Sequence, residues 1–405
     1  MQVAKTCRAA HALALPYVLT EVTITHRGPD WSPEEDHLVL FCAYMLADAT
    51  RRLPLLKCLR IESRSFRSLS GSCISLIEGA ANSLRDYSTA QHLVPILRLS
   101  TNLRELSFQD AEEVFRAVPK IPDAIIELTG LNVIQFRGVH RQTTEVLSRM
   151  RSRPRTVDCY DDGRDPGCWP DYGPIPLGKT RFLHNFTASL VTLKLHGRCE
   201  IICDIEPDTV WSEVRSLDLG SHVINCPSGF AAFSRAFPQL RCLRLSGYSI
   251  YTRPISSGCW PYLDFVSTIS PMPVVRTVRR LELHNSADRV PFYVQEHTCE
   301  EFLRLSAPVV LACGADEEIL QSIHAAAIPS LRFLQLFFYP ITRGSLPERH
   351  AVHMQHILVR IRLPPKSFVL GHSIFTQLCH RLGHGLPKVE GHTTPCRHDV
   401  HQRCI

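Results

Sequence analysis

The stretch Leu240-Arg-Cys-Leu-Arg-Leu245 carries the spacing that decides the fold, because apolar residues occupy its first, fourth and sixth positions. On a β-strand, successive side chains point to opposite faces, so the fourth and sixth residues share one face. The third, fifth and seventh residues then share the other face. The stretch therefore predicts a short strand that packs on one side and is free to bind on the other.

The same spacing recurs along the chain. Copies start at Leu19, Leu56, Leu103, Leu131, Leu190, Val214, Leu240, Val278 and Leu331. Weaker copies start at Ser306 (SAPVVL) and Leu358 (LVRIRL). The starts at Leu190, Val214 and Leu240 are separated by 24 and 26 residues, which matches the ~20–29 residues of leucine-rich repeats.

Segments compatible with helices lie between the strands, at Glu34 to Arg52, Thr143 to Met150 and Phe230 to Phe237. A single strand and helix cannot bury its apolar side, but stacked units share one core. The sequence therefore predicts an α/β fold, an irregular leucine-rich-repeat solenoid over residues 25–363, with a curved parallel sheet on its concave side. A compact α/β domain with leucine-rich strands is the alternative.

Two segments rich in Pro and Gly interrupt the repeat, at 151–180 and 252–273, and are predicted to be loop insertions. Both contain Gly-Cys-Trp-Pro, which includes Trp169 and Trp260. These tryptophans are either exposed anchors for a partner or side chains packed against the solenoid.

The N-terminus carries a resemblance. Thr6-Cys7-Arg8, followed by HALALPYVLTEVTI to Ile24, is similar to the closing part of an F-box. Together with the irregular repeats, the chain resembles fungal F-box proteins with leucine-rich repeats. The resemblance implies a non-catalytic substrate receptor, whose F-box contacts the adaptor subunit of an SCF ubiquitin ligase while its repeats hold a protein substrate.

Residues 1–24 are accordingly interpreted as a remnant of an F-box. The residues that the resemblance assigns to the adaptor are Cys7, Arg8, Leu13, Leu15 and Pro16. The L-P-x-E segment that opens an F-box does not precede Thr6, so we expect adaptor contact to be incomplete. The alternative for this segment is a helix that caps the apolar end of the solenoid.

Residues 364–405 form a tail rich in His and Cys, and its end, Cys396-x-His398-x-x-His401-x-x-Cys404, reproduces the middle ligand positions of a RING finger. Zinc favours tetrahedral sets of such sulfur and imidazole ligands. In a RING these four residues would be divided between two zinc ions, leaving each site half built. Zinc therefore remains an alternative to a polar cap, and no other cofactor is expected.

The concave face is the predicted binding surface. Its candidate residues are Arg60, Arg137, Lys194, Arg244, Arg280, Glu282, His284, Phe333 and Phe337. Charges of both signs alternate along it, which suits a protein partner better than a phosphate backbone. We expect contact near Arg244, Arg280 and His284, with the two phenylalanines as apolar anchors, and we expect no nucleic-acid partner.

Composition restricts the function further. The net charge is only +6, and the longest apolar run, Leu38 to Ala47, is ten residues, against ~20 for a membrane span. No catalytic motif with a consistent context is present. We therefore expect a non-catalytic protein in the cytoplasm or nucleus, without membrane attachment. The alternatives are a free-standing repeat scaffold and a zinc-binding tail with RING-like character.

Overall fold

A computed structural model describes residues 8–25, 37–68, 85–160, 180–196, 208–220, 234–246, 260–269, 271, 277–284, 297–314, 317–338 and 357–362. Its centre is a 13-stranded sheet in which all strands but the last are parallel. In this sheet each strand lies beside the one that precedes it in chain order. Helices accompany the sheet, so the fold is α/β and compatible with a solenoid.

The strands are short, as the repeat spacing predicts. They are β1 (Glu21–Ile24), β2 (Cys58–Ile61), β3 (Arg67–Ser68), β4 (Arg85–Asp86), β5 (Glu105–Phe108), β6 (Val133–Arg137), β7 (Thr156–Tyr160), β8 (Thr192–His196), β9 (Ser216–Leu219), β10 (Cys242–Leu245), β11 (Leu263–Thr268), β12 (Val278–Leu283), β13 (Val310–Gly314), β14 (Phe333–Phe338) and β15 (Ile357–Arg362). Strands β3 and β4 form a separate antiparallel pair.

The described helices precede or follow individual strands. They are α1 (Arg8–Thr20), α2 (His37–Leu46), α3 (Ala49–Arg52), α4 (Leu93–Leu99), α5 (Ala111–Ala117), α6 (Lys120–Glu127), α7 (Arg141–Arg149), α8 (His297–Ser306) and α9 (Glu317–Ala326). Helices α2 and α7 occupy segments predicted to be helical. Among the described residues, no helix combines the length and apolarity needed to cross a bilayer.

One continuous core joins the sheet to the helices. Leu193, Leu217 and Leu243, from the fourth position of three repeats, are register partners on adjacent strands and are buried. They belong to the same apolar cluster as helix residues such as Val114 and Leu147. The helices therefore cover the side of the sheet that carries the fourth and sixth positions.

All nine full copies of the repeat lie on strands of the large sheet, so the predicted strands are confirmed at these positions. The first strand, β1, starts at Glu21. The sheet therefore begins inside the segment 1–24 that was predicted to be a separate remnant or cap.

The two predicted loop insertions are wrong in part. Strand β7 lies inside 151–180, and strand β11 lies inside 252–273. Trp260 is buried, and its Nε1 donates a hydrogen bond to the Phe237 carbonyl at 2.9 Å. It is therefore a packed side chain and not an exposed anchor, whereas Trp169 lies outside the described residues.

The two weaker copies lie on strands but differ from the full copies, one in its starting residue and the other in its direction. Strand β13 pairs Leu311 with Leu281 and Leu334, so the repeat there starts at Pro308 and not at Ser306. Strand β15 pairs antiparallel with β14. It ends the described sheet with a change of direction and does not continue the parallel repeat.

A buried carboxylate joins two of the helices. Glu112, on α5, accepts hydrogen bonds through Oε1 from the Gln142 backbone N–H at 2.9 Å and through Oε2 from the Thr143 backbone N–H at 3.0 Å. The Thr143 hydroxyl also donates to Oε2 at 2.9 Å. These contacts satisfy donors in the first turn of α7 that have no partner within their own helix.

Candidate partner-binding face

The side of the sheet opposite the helices presents the third, fifth and seventh residues of each repeat, and we call it the open face. Strand register places these residues in rows that run across the sheet, one row for each position. Arg60 thus lies beside Thr23 and Ser107, and Arg244 lies beside Asp218 and Ser267. All nine residues predicted to bind a partner project from this face.

At the N-terminal end, Arg60 bridges two carboxylates. It contacts Glu21 of β1 at 2.5 Å, and both its Nε and Nη2 donate to Glu105 of β5, at 2.9 and 2.7 Å. Cys58 lies between the same acids. Burial, followed by the charge of Glu105, raises the pKa of the Cys58 thiol to about 12, so this cysteine remains protonated at neutral pH.

The centre of the open face carries a denser network. Lys194 lies 3.7 Å from Asp158, and His196 Nε2 lies 3.8 Å from Asp218. Arg137 extends over the Tyr160 ring at 5.7 Å, and that ring contacts His196. The predicted Arg137 and Lys194 therefore share a network with His196 and Asp218, which the repeat spacing also places on this face. Asp158 and Tyr160 complete the network from strand β7, which was not predicted.

The C-terminal part combines ion pairs with aromatic contacts. Arg280 donates to Glu282 from Nε and Nη2 at 3.0 and 2.7 Å, and His284 Nε2 lies 3.7 Å from the same carboxylate. His284 Nε2 also lies 2.9 Å from Ser267 Oγ. Arg244 lies over the Phe265 ring at 5.2 Å. Ser267 and Phe265 belong to β11, so this unpredicted strand separates Arg244 from Arg280.

The predicted apolar anchors differ in exposure. Phe333, the third residue of its repeat, is 47% exposed, whereas Phe337 is half-buried. Strand β13 lies between these residues and Arg280, and its Ala312 is buried. The structure thus gives the C-terminal end of the open face one well-exposed aromatic side chain, two strands away from the charged strand β12.

Asp218 is the most enclosed acid of the central network. Burial raises the pKa of its carboxyl above the ordinary 3.8, and the charges of His196, Arg244 and Lys194 lower it by less. A carboxyl whose folded pKa exceeds its unfolded pKa stabilises the fold at low pH, and this contribution is lost as the pH rises through the folded pKa. Ionisation of Asp218 therefore costs stability near neutral pH.

Asp218→Asn tests whether ionisation of Asp218 lowers stability, because asparagine does not titrate. We expect the stability of the unaltered protein relative to the variant to increase between about pH 7 and about pH 4. Urea unfolding at several pH values measures the difference, and repeating the comparison in the His196→Gln background removes the neighbouring imidazole. A difference that stays constant or decreases on acidification would contradict the direction of the shift.

The N-terminal residues assigned to an adaptor are divided between surface and core. Leu13 is 76% exposed and Pro16 is exposed, but Leu15 is 8% exposed and packs in the core. The assignment of Leu15 to an adaptor contact is therefore wrong. Cys7 lies outside the described residues, and Arg8 begins helix α1. Tyr17, which was not predicted, is exposed one helical turn after Leu13.

The predicted zinc ligands Cys396, His398, His401 and Cys404 lie outside the described residues. Within the part of the chain that the structure describes, no group of His, Cys, Asp and Glu is arranged to hold a metal ion. The described cysteines are free thiols. Burial raises the pKa of Cys299 to about 11, so this thiol is also protonated at neutral pH.

The open face is therefore a polar surface in which cations and carboxylates are interleaved, with exposed aromatic carbon at its C-terminal end. Comparison with known proteins adds no family to this description: no protein-family model matches the chain, and no curated protein matches it.

Proposed function

We propose that the protein is a non-catalytic recognition module that binds a protein partner across its open face. The observation that carries this proposal is the single open face itself, which continues over the strands of one sheet and presents side chains of both signs. Alternating potential of this kind favours a partner with complementary charges and disfavours wrong partners. Parallel arrays of short repeats commonly use such an extended surface for binding.

The intramolecular ion pairs indicate which part of the open face contacts the partner. Arg60 and Lys194 are paired with carboxylates of neighbouring strands, so they contribute to a fixed pattern of electrostatic potential. At the C-terminal end of the open face, the side chains of Arg244, His284 and Phe333 are exposed. Aromatic and arginine side chains supply most of the binding energy at protein interfaces. We therefore place the centre of the interface at this end.

The finer proposal is a leucine-rich-repeat solenoid, curved with the open face concave, that acts as the substrate receptor of an SCF ubiquitin ligase in the cytoplasm or nucleus. Strands at the repeat spacing and the N-terminal sequence support it. With Leu15 in the core, an adaptor would contact Leu13, Pro16 and Tyr17 of α1. A pulldown with purified adaptor subunit distinguishes this receptor from a free-standing repeat scaffold.

The test of the open face is the double variant Arg244→Glu with Arg280→Glu. We expect it to lose the proteins that the unaltered chain captures from cell extract, because reversed charge opposes a complementary partner. Quantitative mass spectrometry of the captured proteins gives the measurement. The matched control is Arg98→Glu with Arg304→Glu, which changes the net charge equally at exposed positions on helices α4 and α8.

Circular dichroism of both variants checks that they fold. If the double variant is folded and captures the same proteins as the unaltered chain, the open face is not the binding surface. Equal losses from the double variant and its control would also contradict the proposal, because they would show a dependence on net charge alone.

A further inference from the structure

A second charged surface lies along the edge of the sheet at which the parallel strands begin. The second residue of each repeat, just before the first residue of the open face, is basic in seven repeats. We call this set the basic rim, and its members are Lys57, Arg104, Arg155, Arg215, Arg241, Arg279 and Arg332. The first residue of each repeat is buried and the third belongs to the open face, so the rim is distinct from both surfaces.

Backbone hydrogen bonds hold the rim in one line. The Arg104 N–H donates to the Lys57 carbonyl at 2.7 Å, and the Arg241 N–H donates to the Arg215 carbonyl at 2.9 Å. Asn132, Val191 and Asp264 continue the same line between these cations. The rim crosses ten strand-to-strand steps from β2 to β14, which at ~4.8 Å per step is about 48 Å.

The rim differs from the open face in its charge balance. Six of its members are exposed and Arg332 is half-buried. Among the described residues, no carboxylate forms an ion pair with any of the seven. Asp264 is the acid that lies in the line. Positive charge therefore accumulates along the rim, whereas on the open face Arg60, Lys194 and Arg280 are paired with carboxylates.

The rim is only one residue wide, which restricts the kinds of ligand that fit it. One residue per strand forms a single row, and the adjoining row of the open face contains the acids Glu21 and Glu105. A nucleic-acid duplex, which is wider than one row, would bring phosphates over these two carboxylates, whereas the rest of that row carries few cations to receive them. A single nucleic-acid strand binds by stacking its bases on aromatic side chains. The described aromatic residues beside the rim are Tyr262, 5.7 Å from the Arg241 guanidinium, and Phe265 and Phe333 of the adjoining row. All three lie near β11 or on β14, so they do not form a stacking platform along the length of the rim.

We propose that the basic rim binds an extended acidic segment of a partner protein. Guanidinium groups match carboxylates through paired hydrogen bonds, and one extended chain is as wide as one row. At ~3.3 Å per residue, an extended segment of about 15 residues would span the whole rim. This surface is separate from the open face, so the proposal does not depend on the function proposed above.

The experiment measures fluorescence anisotropy of a labelled peptide of about 15 residues, in which Asp and Glu alternate with Gly and Ser, against the full chain. The rim variant is Arg215→Gln, Arg241→Gln and Arg279→Gln. The control variant is Arg98→Gln, Arg141→Gln and Arg304→Gln, which removes the same charge from exposed helix positions. A peptide with Asn and Gln in place of the acids controls for backbone binding.

We expect saturable binding to the unaltered chain that weakens as salt is added. The rim variant should bind about tenfold more weakly, since three exposed charge pairs each contribute up to a few-fold, and the control variant should change by less than about twofold. Equal losses in both variants would overturn the proposal, as would equal binding of the amide peptide. Tighter, rim-dependent binding of oligodeoxythymidylate would also overturn it, in favour of nucleic acid.

Discussion

Leu217→Ala is expected to lower the free energy of unfolding by about 2–5 kcal/mol, because it leaves a cavity in the core between sheet and helices. Leu217 is 1% exposed, and its register partners Leu193 and Leu243 are equally buried. The packed row cannot collapse easily, because each strand is fixed by hydrogen bonds to both neighbours. Urea unfolding followed by circular dichroism gives the measurement.

The matched control is Ser216→Ala on the same strand. Ser216 is half-buried and projects from the open face, so its loss should change stability by less than about 0.5 kcal/mol. The register of the repeat can be checked further with Leu193→Ala and Leu243→Ala. Losses below about 1 kcal/mol at all three leucines would show that the register is wrong.

The large effect expected at Leu217 and the successful prediction of the strands have the same origin, which is the apolar spacing of the repeat. The spacing that keeps apolar side chains on one face of a strand can be read from a few neighbouring residues. Because that face is buried, few departures from the spacing are tolerated. The nine full copies therefore marked nine strands of the sheet, and their alternating residues identified the open face. Sequential strand order follows because each unit must share its core with the next one.

Strands β7 and β11 were missed because their sequences weaken the leucine spacing. Strand β7 follows Pro154 and buries Val157 and Cys159, and β11 buries Val266 and Thr268. The Pro and Gly residues of the surrounding segments favoured the prediction of loops, since these residues usually mark turns. Hydrogen bonds to the neighbouring strands stabilise β7 and β11 as strands. The local sequence pattern gives no indication of these hydrogen bonds.

The ion pairs of the open face were also beyond sequence reasoning. Arg60 meets Glu21 and Glu105 only because three strands, distant in sequence, are held in one register. The alternating residues of the repeats give the balance of charge on the open face, but they do not show which cations are already paired with neighbouring carboxylates. The basic rim is different, since six of its seven members occupy the second position of predicted copies and could have been counted from the sequence alone. The exception is Arg155, which precedes the missed strand β7.

Glu112→Ala is the second substitution expected to have a large effect, at about 3 kcal/mol of unfolding free energy, because buried donors would lose their acceptor. The Glu112 side chain receives hydrogen bonds from the backbone of Gln142 and from both the backbone and the hydroxyl of Thr143. Thr143 is itself fully buried, so water cannot readily replace the carboxylate. The negative charge also faces the start of helix α7, where the helix dipole favours an anion.

Glu112→Gln separates the hydrogen bonds from the charge. One oxygen remains as an acceptor while the new amide group opposes a backbone donor, so we expect a loss between those of the alanine variant and the unaltered protein. Glu127→Ala, at an exposed position on α6, is the control and should cost less than about 0.5 kcal/mol. Native-state hydrogen exchange adds a local measurement, because loss of this contact should speed exchange at Gln142 and Thr143 before the rest of α7. An alanine variant as stable as the control would mean that the first turn of α7 is held by other contacts, and Glu112 would then lose its role as the residue that fixes α7 to α5.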